Sequence, residues 1–325
     1  MSRAILVSAG GDPLLASFCI DLIKKNCYNV IDSIYVCYNN STDTPKEVET
    51  EFLGRYLDDP KIKIIYWPTQ LGYGLPITKM LQVCEEDLVM LLEDDGFLLQ
   101  EAAVDSAFKQ IENNHVDALG SPRFSCGTEI SEALKLKYNL DYSGYGDVGP
   151  NFWPNFFFCR KRDLLDTDLN FAPKSFEKGI YYSELNHTMS ETEGADTFVW
   201  ACIQMRHTGV RFGNIPQFHS SPYEITDKEK SEGNWRGVKP YWIHGGSLSV
   251  GAGKYLRGVV PDVSAEISKQ EIESRVAWWS VIASNVEGFD SYRSQYKKGI
   301  LELMEKAQLD EDRIMRKVDI YEELL

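Results

Sequence analysis

Apolar and polar positions alternate regularly along the first hundred residues. Short apolar runs predict β-strands, and apolar residues at helical spacing between them predict helices. The strands are predicted at residues 4–8, 33–38, 62–66 and 88–92, and the helices at residues 13–25 and 76–83. Strands that alternate with helices indicate an α/β fold with a mostly parallel sheet covered on both faces. In such sheets, ligands bind beyond the carboxyl ends of the strands.

The rest of the chain has a less regular pattern. Residues 101–260 are mixed in pattern and rich in aromatic residues and glycine, with a strand-like run at 155–159 and a helix-like segment at 195–207. Further on, Ser268 and Glu271 form a capping box, after which two amphipathic helices are expected. Because no repeat or low-complexity linker separates this C-terminal extension, we expect it to pack on the main body.

Three acidic residues directly follow the fourth predicted strand. Glu93, Asp94 and Asp95 come after the apolar run at 88–92, and Gly96 follows them. Mg²⁺ and Mn²⁺ take oxygen ligands, usually one or two carboxylates, with water and substrate phosphates completing the shell. A solvated turn is the alternative interpretation of three adjacent acids. Their place at the end of a buried strand favours a ligand site.

Polar and glycine-bearing turns follow the second and third strands. Asn40 and Asp43 carry short polar side chains that can bond a base or a ribose, although an Asx turn explains the same residues. Gln70, Gly72 and Tyr73 precede a helix, and a glycine there allows a ligand to approach the backbone closely. This second segment matches neither the P-loop nor the dinucleotide-binding glycine pattern.

The order of these three segments resembles that of the family 2-like glycosyltransferases with the GT-A fold. The segments at 38–43, 70–78 and 93–95 correspond in order and spacing to three motifs of that family, and the resemblance covers residues 3–220. It implies a Rossmann-like GT-A fold, with a mostly parallel central sheet flanked by helices and a helical C-terminal extension. It also implies the transfer of a hexosyl or pentosyl group from a nucleotide diphosphate sugar, with Mn²⁺ or Mg²⁺ as cofactor.

The resemblance carries roles to individual residues. The residues that it implies in nucleotide-sugar binding are Ser8, Tyr38, Asn40, Asp43, Gln70, Gly72, Tyr73, Glu93 and Asp94. It implies that Asp95 binds the metal directly. Tyr38 stands where the family has an acid that contacts the nucleobase, so the sequence leaves the identity of the nucleobase open. A UDP-sugar is the donor that the family favours.

The resemblance also divides the chain into three parts. Residues 1–100 correspond to the nucleotide-sugar-binding half of a GT-A domain, residues 101–260 to the acceptor-binding half, and residues 261–325 to the helical extension.

In the second half of the chain, the resemblance implies a catalytic general base and two candidate metal ligands. Asp196 matches the second acid of a pair that opens a helix in the family, which implies a general base for an inverting transfer. An acid stabilised by the helix dipole is the alternative interpretation. His219 follows the family spacing and His244 lies in a glycine-rich loop, so both are candidates for the metal shell. A hydrogen-bonded structural histidine is the alternative for each.

The chain is acidic, and this narrows its partners. Its 325 residues include 34 Lys and Arg against 49 Asp and Glu, a net charge of −15. This excess of negative charge disfavours sequence-independent binding to nucleic acid and binding to an anionic membrane. The resemblance implies a hydroxyl of a glycan or glycoconjugate as the acceptor. A hydroxylated base in DNA is the alternative, and the acidic balance argues against it.

Two rival classes of protein stay open at this stage. A nucleotidyltransferase usually carries a basic residue in the glycine loop after its first strand, and residues 8–13 have none. A binding module that lost catalysis would not need the acids at 93–95 and 196. These residues favour the transferase, and only activity separates it from the binding module.

The cysteines and the hydropathy of the chain indicate its cellular compartment. Seven cysteines are scattered without a CxxC pair, so we expect reduced thiols that are mostly buried. The first apolar run is too short for a signal peptide, and no stretch approaches 18 uninterrupted apolar residues. These features predict a cytoplasmic protein without integral membrane association.

Overall fold

The computed structural model of the protein describes most of the first 120 residues and shorter segments after them. The described residues are 1–9, 13–39, 46–67, 74–120, 122–123, 151–152, 155–167, 198, 201–202, 204–206, 208–215, 242–244 and 286–289. The two helices expected after residue 268 lie outside them. Of the helix-like segment predicted at 195–207, the described residues between 198 and 206 are helical.

Three sheets are built from the strands of the described residues. These strands are β1 (Arg3–Ala9), β2 (Ser33–Asn39), β3 (Ile62–Trp67), β4 (Leu88–Glu93), β5 (Gly96–Leu98), β6 (Ala118–Gly120), β7 (Pro122–Arg123), β8 (Asn151–Phe152), β9 (Phe157–Arg160), β10 (Phe212–Asn214) and β11 (Trp242–His244). The central sheet has seven strands in the order β10-β6-β9-β4-β1-β2-β3. All its neighbours are parallel except β9, which runs antiparallel to both β4 and β6. The predicted α/β class with a mostly parallel sheet is therefore confirmed.

Helices cover both faces of this sheet. They are α1 (Pro13–Cys27), α2 (Lys46–Arg55), α3 (Gly74–Val83), α4 (Glu101–Glu112) and α5 (Lys161–Leu165), with a short 3-10 helix at Tyr28–Val30. Successive residues of β1 point to opposite faces, so Ile5 and Val7 join the core under α1 and α4. Ala4 and Leu6 join the core under α3. Burial on both faces explains why the central strands are continuously apolar.

The predicted elements of the first hundred residues agree with the structure to within two residues at every end. The four predicted strands are β1 to β4, and the predicted helices are α1 and α3. The pattern did not predict α2 and α4. In α4 the buried residues Val104, Ala107, Phe108 and Ile111 form a helical stripe that the sequence analysis did not single out within the mixed segment from residue 101.

The C-terminal part of the chain returns to the N-terminal body at residues 286–289. The ring of Phe289 is fully buried and lies 6.1 Å from the ring of Phe18 in α1 and 6.0 Å from that of Phe97 in β5. At the surface nearby, Lys25 pairs with Glu287. These contacts place residues 286–289 against the main body. The packing of the rest of the C-terminal extension stays a prediction, because it lies outside the described residues.

Two further expectations concern hydropathy and thiols. Among the helices that the structure describes, none is long and apolar enough to cross a membrane. The six cysteines within the described residues are all buried free thiols. Cys126 lies outside the described residues.

Asp117 ties three neighbouring strands together, and its replacement should destabilise the fold. Arg211, before β10, donates to its carboxylate from Nε at 2.8 Å, and Arg160 at the end of β9 pairs with the same carboxylate. The Arg211 hydrogen bonds, with help from Arg160, hold the pKa of Asp117 well below its usual range. We expect Asp117→Asn to lower the free energy of unfolding by about 2 kcal/mol at pH 7, measured by urea unfolding.

The pH dependence of this effect has a defined sign. Because folding lowers the pKa of Asp117, its stabilisation is complete above the pKa of the unfolded chain and disappears as the pH falls towards the folded value. The difference between Asp117→Asn and the wild type should therefore narrow below about pH 4. Glu287→Gln, at an exposed ion pair, is the control and should leave the unfolding midpoint nearly unchanged. An equal effect of both substitutions would contradict the prediction.

Candidate functional site

The carboxyl ends of β1 and β4 meet where the order of the strands reverses. From β1 the chain runs outward to β2 and β3, and β4 then pairs on the other side of β1. In α/β sheets such a switch point forms a crevice in which ligands bind. Ser8 in β1 is aligned with Glu93 in β4, and the N–H of Asp94 donates to the carbonyl of Ser8 at 3.1 Å. The fold thus brings these three predicted site residues together.

The acidic turn, residues 93–96, connects β4 to β5. Asp94 and Asp95 are each 3 % exposed, whereas Glu93 is partly exposed at the end of β4. Neighbouring buried carboxylates repel one another and lose hydration, so their charged forms need hydrogen-bond donors or a cation close by. Charge interactions with a bound cation would be strong at this place because bulk water is largely excluded.

Cys19 in α1 holds the acidic turn against the helix. Its Sγ lies 3.4 Å from the carbonyl oxygen of Gly96 and 3.7 Å from that of Glu93. Burial, followed by the charges of Asp94 and Asp95, raises the pKa of this thiol well above its ordinary value. The thiol therefore stays protonated and can donate to the turn.

Asn155, just before β9, binds the acidic turn from the other side. Its Nδ2 donates to Oε2 of Glu93 at 3.0 Å, and its Oδ1 accepts from the backbone N–H of Glu93 at 3.3 Å. Asn155 reaches this position because residue 96 has no side chain. A Cβ on Gly96 would lie 2.6 Å from Oδ1 of Asn155, far inside the usual contact distance.

A second, antiparallel ladder places His244 beside the acidic turn. β11 pairs with β5, and in this register His244 is opposite Gly96. The ring of Trp242 stacks on that of Phe156 at 5.1 Å, which connects β11 to the residue after Asn155. Of the two histidines predicted for the metal shell, His244 thus has its backbone at the site, and His219 lies outside the described residues.

One predicted site residue, Tyr38, packs in the hydrophobic core. The ring of Tyr38 is fully buried and lies 4.9 Å from the ring of Phe52, so it packs in the core. Its contact with a nucleotide stays a prediction. The predicted site residues that lie outside the described residues are Asn40, Asp43, Gln70, Gly72, Tyr73, Asp196 and His219.

The acidic turn offers part of a coordination shell. Within the described part of the chain, no group of three or more His, Cys, Asp or Glu side chains forms a metal site. Mg²⁺ and Mn²⁺ commonly bind only one or two protein carboxylates and complete the shell with water and substrate phosphates. The acids at 93–95 fit a hard divalent cation of this kind, bound together with a diphosphate.

The chain matches no protein-family model and no curated protein. Among solved structures, it is similar to S. aureus TarS 1–349 in complex with UDP, with 12 % identity over 97 % of this chain and 82 % of that one, and a TM-score of 0.42. It is also similar to the mannosyltransferase PcManGT from Pyrobaculum calidifontis in complex with GDP-Man and Mn²⁺, with 11 % identity over 93 % of this chain and 72 % of that one, and a TM-score of 0.45.

A further similar structure is glucosyl-3-phosphoglycerate synthase from Mycobacterium tuberculosis in complex with Mn²⁺, UDP and phosphoglyceric acid. Its identity is 15 %, over 50 % of this chain and 57 % of that one, with a TM-score of 0.36. Because all three TM-scores lie below 0.5, none of these likenesses decides the function of this chain.

The sequence patterns did not single out two residues that bind the acidic turn, Asn155 and Cys19. Asn155 is the one polar residue at the start of the strand-like run 155–159, which is a weak signal. Cys19 lies in the predicted helix 13–25, next to the apolar stripe that includes Phe18. Neither position has a local pattern that indicates contact with residues more than 60 places away.

Proposed function

We propose that this chain is a metal-dependent GT-A glycosyltransferase that moves a sugar from a nucleotide diphosphate sugar to an acceptor hydroxyl, with inversion. The observation that carries the proposal is the pair of buried carboxylates, Asp94 and Asp95, at the switch point between β1 and β4. Carboxylates at the carboxyl edge of a mostly parallel sheet, where the strand order reverses, suit the binding of a cation with a diphosphate. The motif order of the sequence supports the same function.

The residues of the acidic turn would have different roles in binding the nucleotide-sugar donor. Asp95 would hold the Mn²⁺ or Mg²⁺, and Asp94 and Glu93 would contact the ribose or sugar of the donor. When bound, the divalent cation supplies positive charge for the leaving diphosphate. The carbonyl of Ser8 and the thiol of Cys19 keep the turn in place for these contacts.

Asp196 would act as the general base. Inverting transfer requires a group that takes the proton of the acceptor hydroxyl while the bond to the sugar forms on the opposite face. A carboxylate in this role holds that proton as the hydroxyl oxygen attacks.

His244 is the better of the two candidate histidines for the metal shell. The pairing of β11 with β5 sets its backbone opposite Gly96, within the same ladder as the acidic turn. Carboxylate and water oxygens are the preferred ligands of Mn²⁺ and Mg²⁺, so the imidazole of His244 would be an additional ligand beside the carboxylates. We propose a UDP-sugar as the donor and a hydroxyl of a glycan or glycoconjugate as the acceptor.

A thermal-shift screen tests this function. A ligand that binds only the folded protein stabilises it by RT ln(1 + [L]/Kd), so a nucleotide present at about 100 times its Kd adds about 2.7 kcal/mol. We expect UDP or a UDP-sugar to raise the unfolding temperature only when Mn²⁺ is present. The matched control is Asp95→Ala, which should lose the Mn²⁺-dependent part of the shift. If no nucleoside diphosphate or nucleotide sugar shifts the wild type under either condition, the proposal is wrong.

A further inference from the structure

Asn155 holds both the backbone and the side chain of one residue in the acidic turn. Its Oδ1 accepts from the backbone N–H of Glu93, and its Nδ2 donates to the carboxylate of the same residue at 3.0 Å. A side-chain amide that bonds a charged carboxylate makes a stronger hydrogen bond than one between neutral groups. Asn155 is itself only 1 % exposed, so it has little freedom to move away.

The surrounding chain is arranged around this amide. Phe156 has a φ of 58°, in the left-handed region that bulky residues rarely adopt. Its ring is fixed by stacking on Trp242 at 5.1 Å and by an edge contact with Phe158 at 5.0 Å. Gly96 leaves the space that the amide oxygen occupies. An unfavourable backbone conformation persists when its surroundings enforce it, and such positions cluster at functional sites.

We propose that Asn155 is a positioning residue that orients the carboxylate of Glu93 toward the bound nucleotide. This inference rests on the function proposed above, in which Glu93 contacts the donor. Glu93 is the partly exposed acid of the turn, so packing restrains its carboxylate less than those of the two buried acids, and a hydrogen bond is needed to fix its orientation. Asn155 touches neither donor nor metal in this scheme and acts through Glu93.

Calorimetric titration with UDP in the presence of Mn²⁺ tests the proposal through binding, without need of an acceptor. We expect Asn155→Ala to weaken UDP binding about tenfold, because the carboxylate of Glu93 loses the bond that orients it and its own contact with the nucleotide weakens. Glu93→Ala should weaken it at least as much. Because Asn155 acts through Glu93, the double variant should bind UDP no more weakly than Glu93→Ala alone. Additive losses in the double variant would overturn the proposal.

A second substitution tests the same bond if the alanine variant folds poorly. Asn155→Asp keeps the shape and the acceptor for the backbone N–H, but it replaces the donor with a carboxylate that faces Glu93. We expect it to weaken UDP binding by more than tenfold, because like charges then repel at hydrogen-bond distance. Unchanged UDP binding by a folded Asn155→Asp variant would overturn the proposal.

Thr167→Val serves as the matched control. Thr167 is 3 % exposed, and its hydroxyl donates to the carbonyl of Leu164 at 2.8 Å, after β9 and away from the acidic turn. We expect Thr167→Val to lose about as much stability as Asn155→Ala but to bind UDP as the wild type does. If Thr167→Val and Asn155→Ala weaken UDP binding equally, Asn155 has only a structural role. If the wild type binds no nucleoside diphosphate, the proposed function itself fails, and this inference fails with it.

Discussion

Replacement of Asp95 by asparagine should lower the turnover of the proposed transferase by about 10² to 10³-fold. The substitution keeps the size of the side chain but removes the charge that would hold the divalent cation beside the leaving diphosphate. Removal of one preorganised electrostatic contact to developing charge typically lowers turnover by this amount. Release of UDP from a UDP-sugar in the presence of Mn²⁺, with water as the acceptor, measures the effect.

Asp95 is 3 % exposed, so the stability of the variant has to be measured beside its activity. Urea unfolding checks that the Asp95→Asn protein is folded, so that the loss of turnover reports the lost charge at the metal. Full activity in the variant would contradict the role of Asp95.

Asp196→Asn provides the comparison that separates the two proposed carboxylate roles. It should lower the turnover by about 10² to 10⁴-fold, the range for loss of a general base, while the Mn²⁺-dependent binding of UDP stays as in the wild type. Asp95→Asn should weaken both turnover and binding. The anomeric configuration of the product, read by NMR, tests inversion in the same assay. A product with the configuration of the donor would contradict the assignment of Asp196 as an inverting base.

The central strands were predictable from sequence because their surroundings are uniform. The run 88–92 is apolar throughout, since β4 lies inside the sheet with helices on both faces, and the acids that end it mark the carboxyl edge. The same reasoning located β1, β2 and β3. α2 gave a weak signal because, among its side chains that the structure describes, only Phe52 is buried, with Leu53 partly buried against the core.

Contacts made by distant parts of the chain were not predictable from local patterns. Asn155 and Glu93 are 62 residues apart, and they meet because β9 runs antiparallel beside β4. His244 reaches the acidic turn through pairing of β11 with β5, which no hydrophobic pattern near residue 244 indicates. The sequence could therefore suggest that the acids at 93–95 form a site, while the groups that hold them in place required the tertiary structure.

The methyl group that Gly96→Ala adds should destabilise the protein and also weaken nucleotide binding. Its Cβ would lie 2.6 Å from Oδ1 of Asn155, 2.6 Å from Cδ1 of Leu92 and 3.1 Å from the carbonyl oxygen of Glu93. All these atoms belong to a packed interior, so they cannot all move aside, and overpacking of this kind costs about 1–3 kcal/mol. Displacement of Asn155 should loosen the acidic turn, and UDP titration with Mn²⁺ should show weaker binding.

Gly54→Ala is the control that isolates the crowding at position 96 from the general effect of adding a methyl group. Gly54 lies near the end of α2, with nothing within 4 Å of the position that its Cβ would take. Alanine has a higher helix propensity than glycine. The free energy of unfolding of this variant should therefore equal that of the wild type or exceed it by up to about 1 kcal/mol, and its UDP binding should be unchanged. If Gly96→Ala behaves in the same way in both urea unfolding and titration, the close packing of Asn155 against the acidic turn is not what fixes the site.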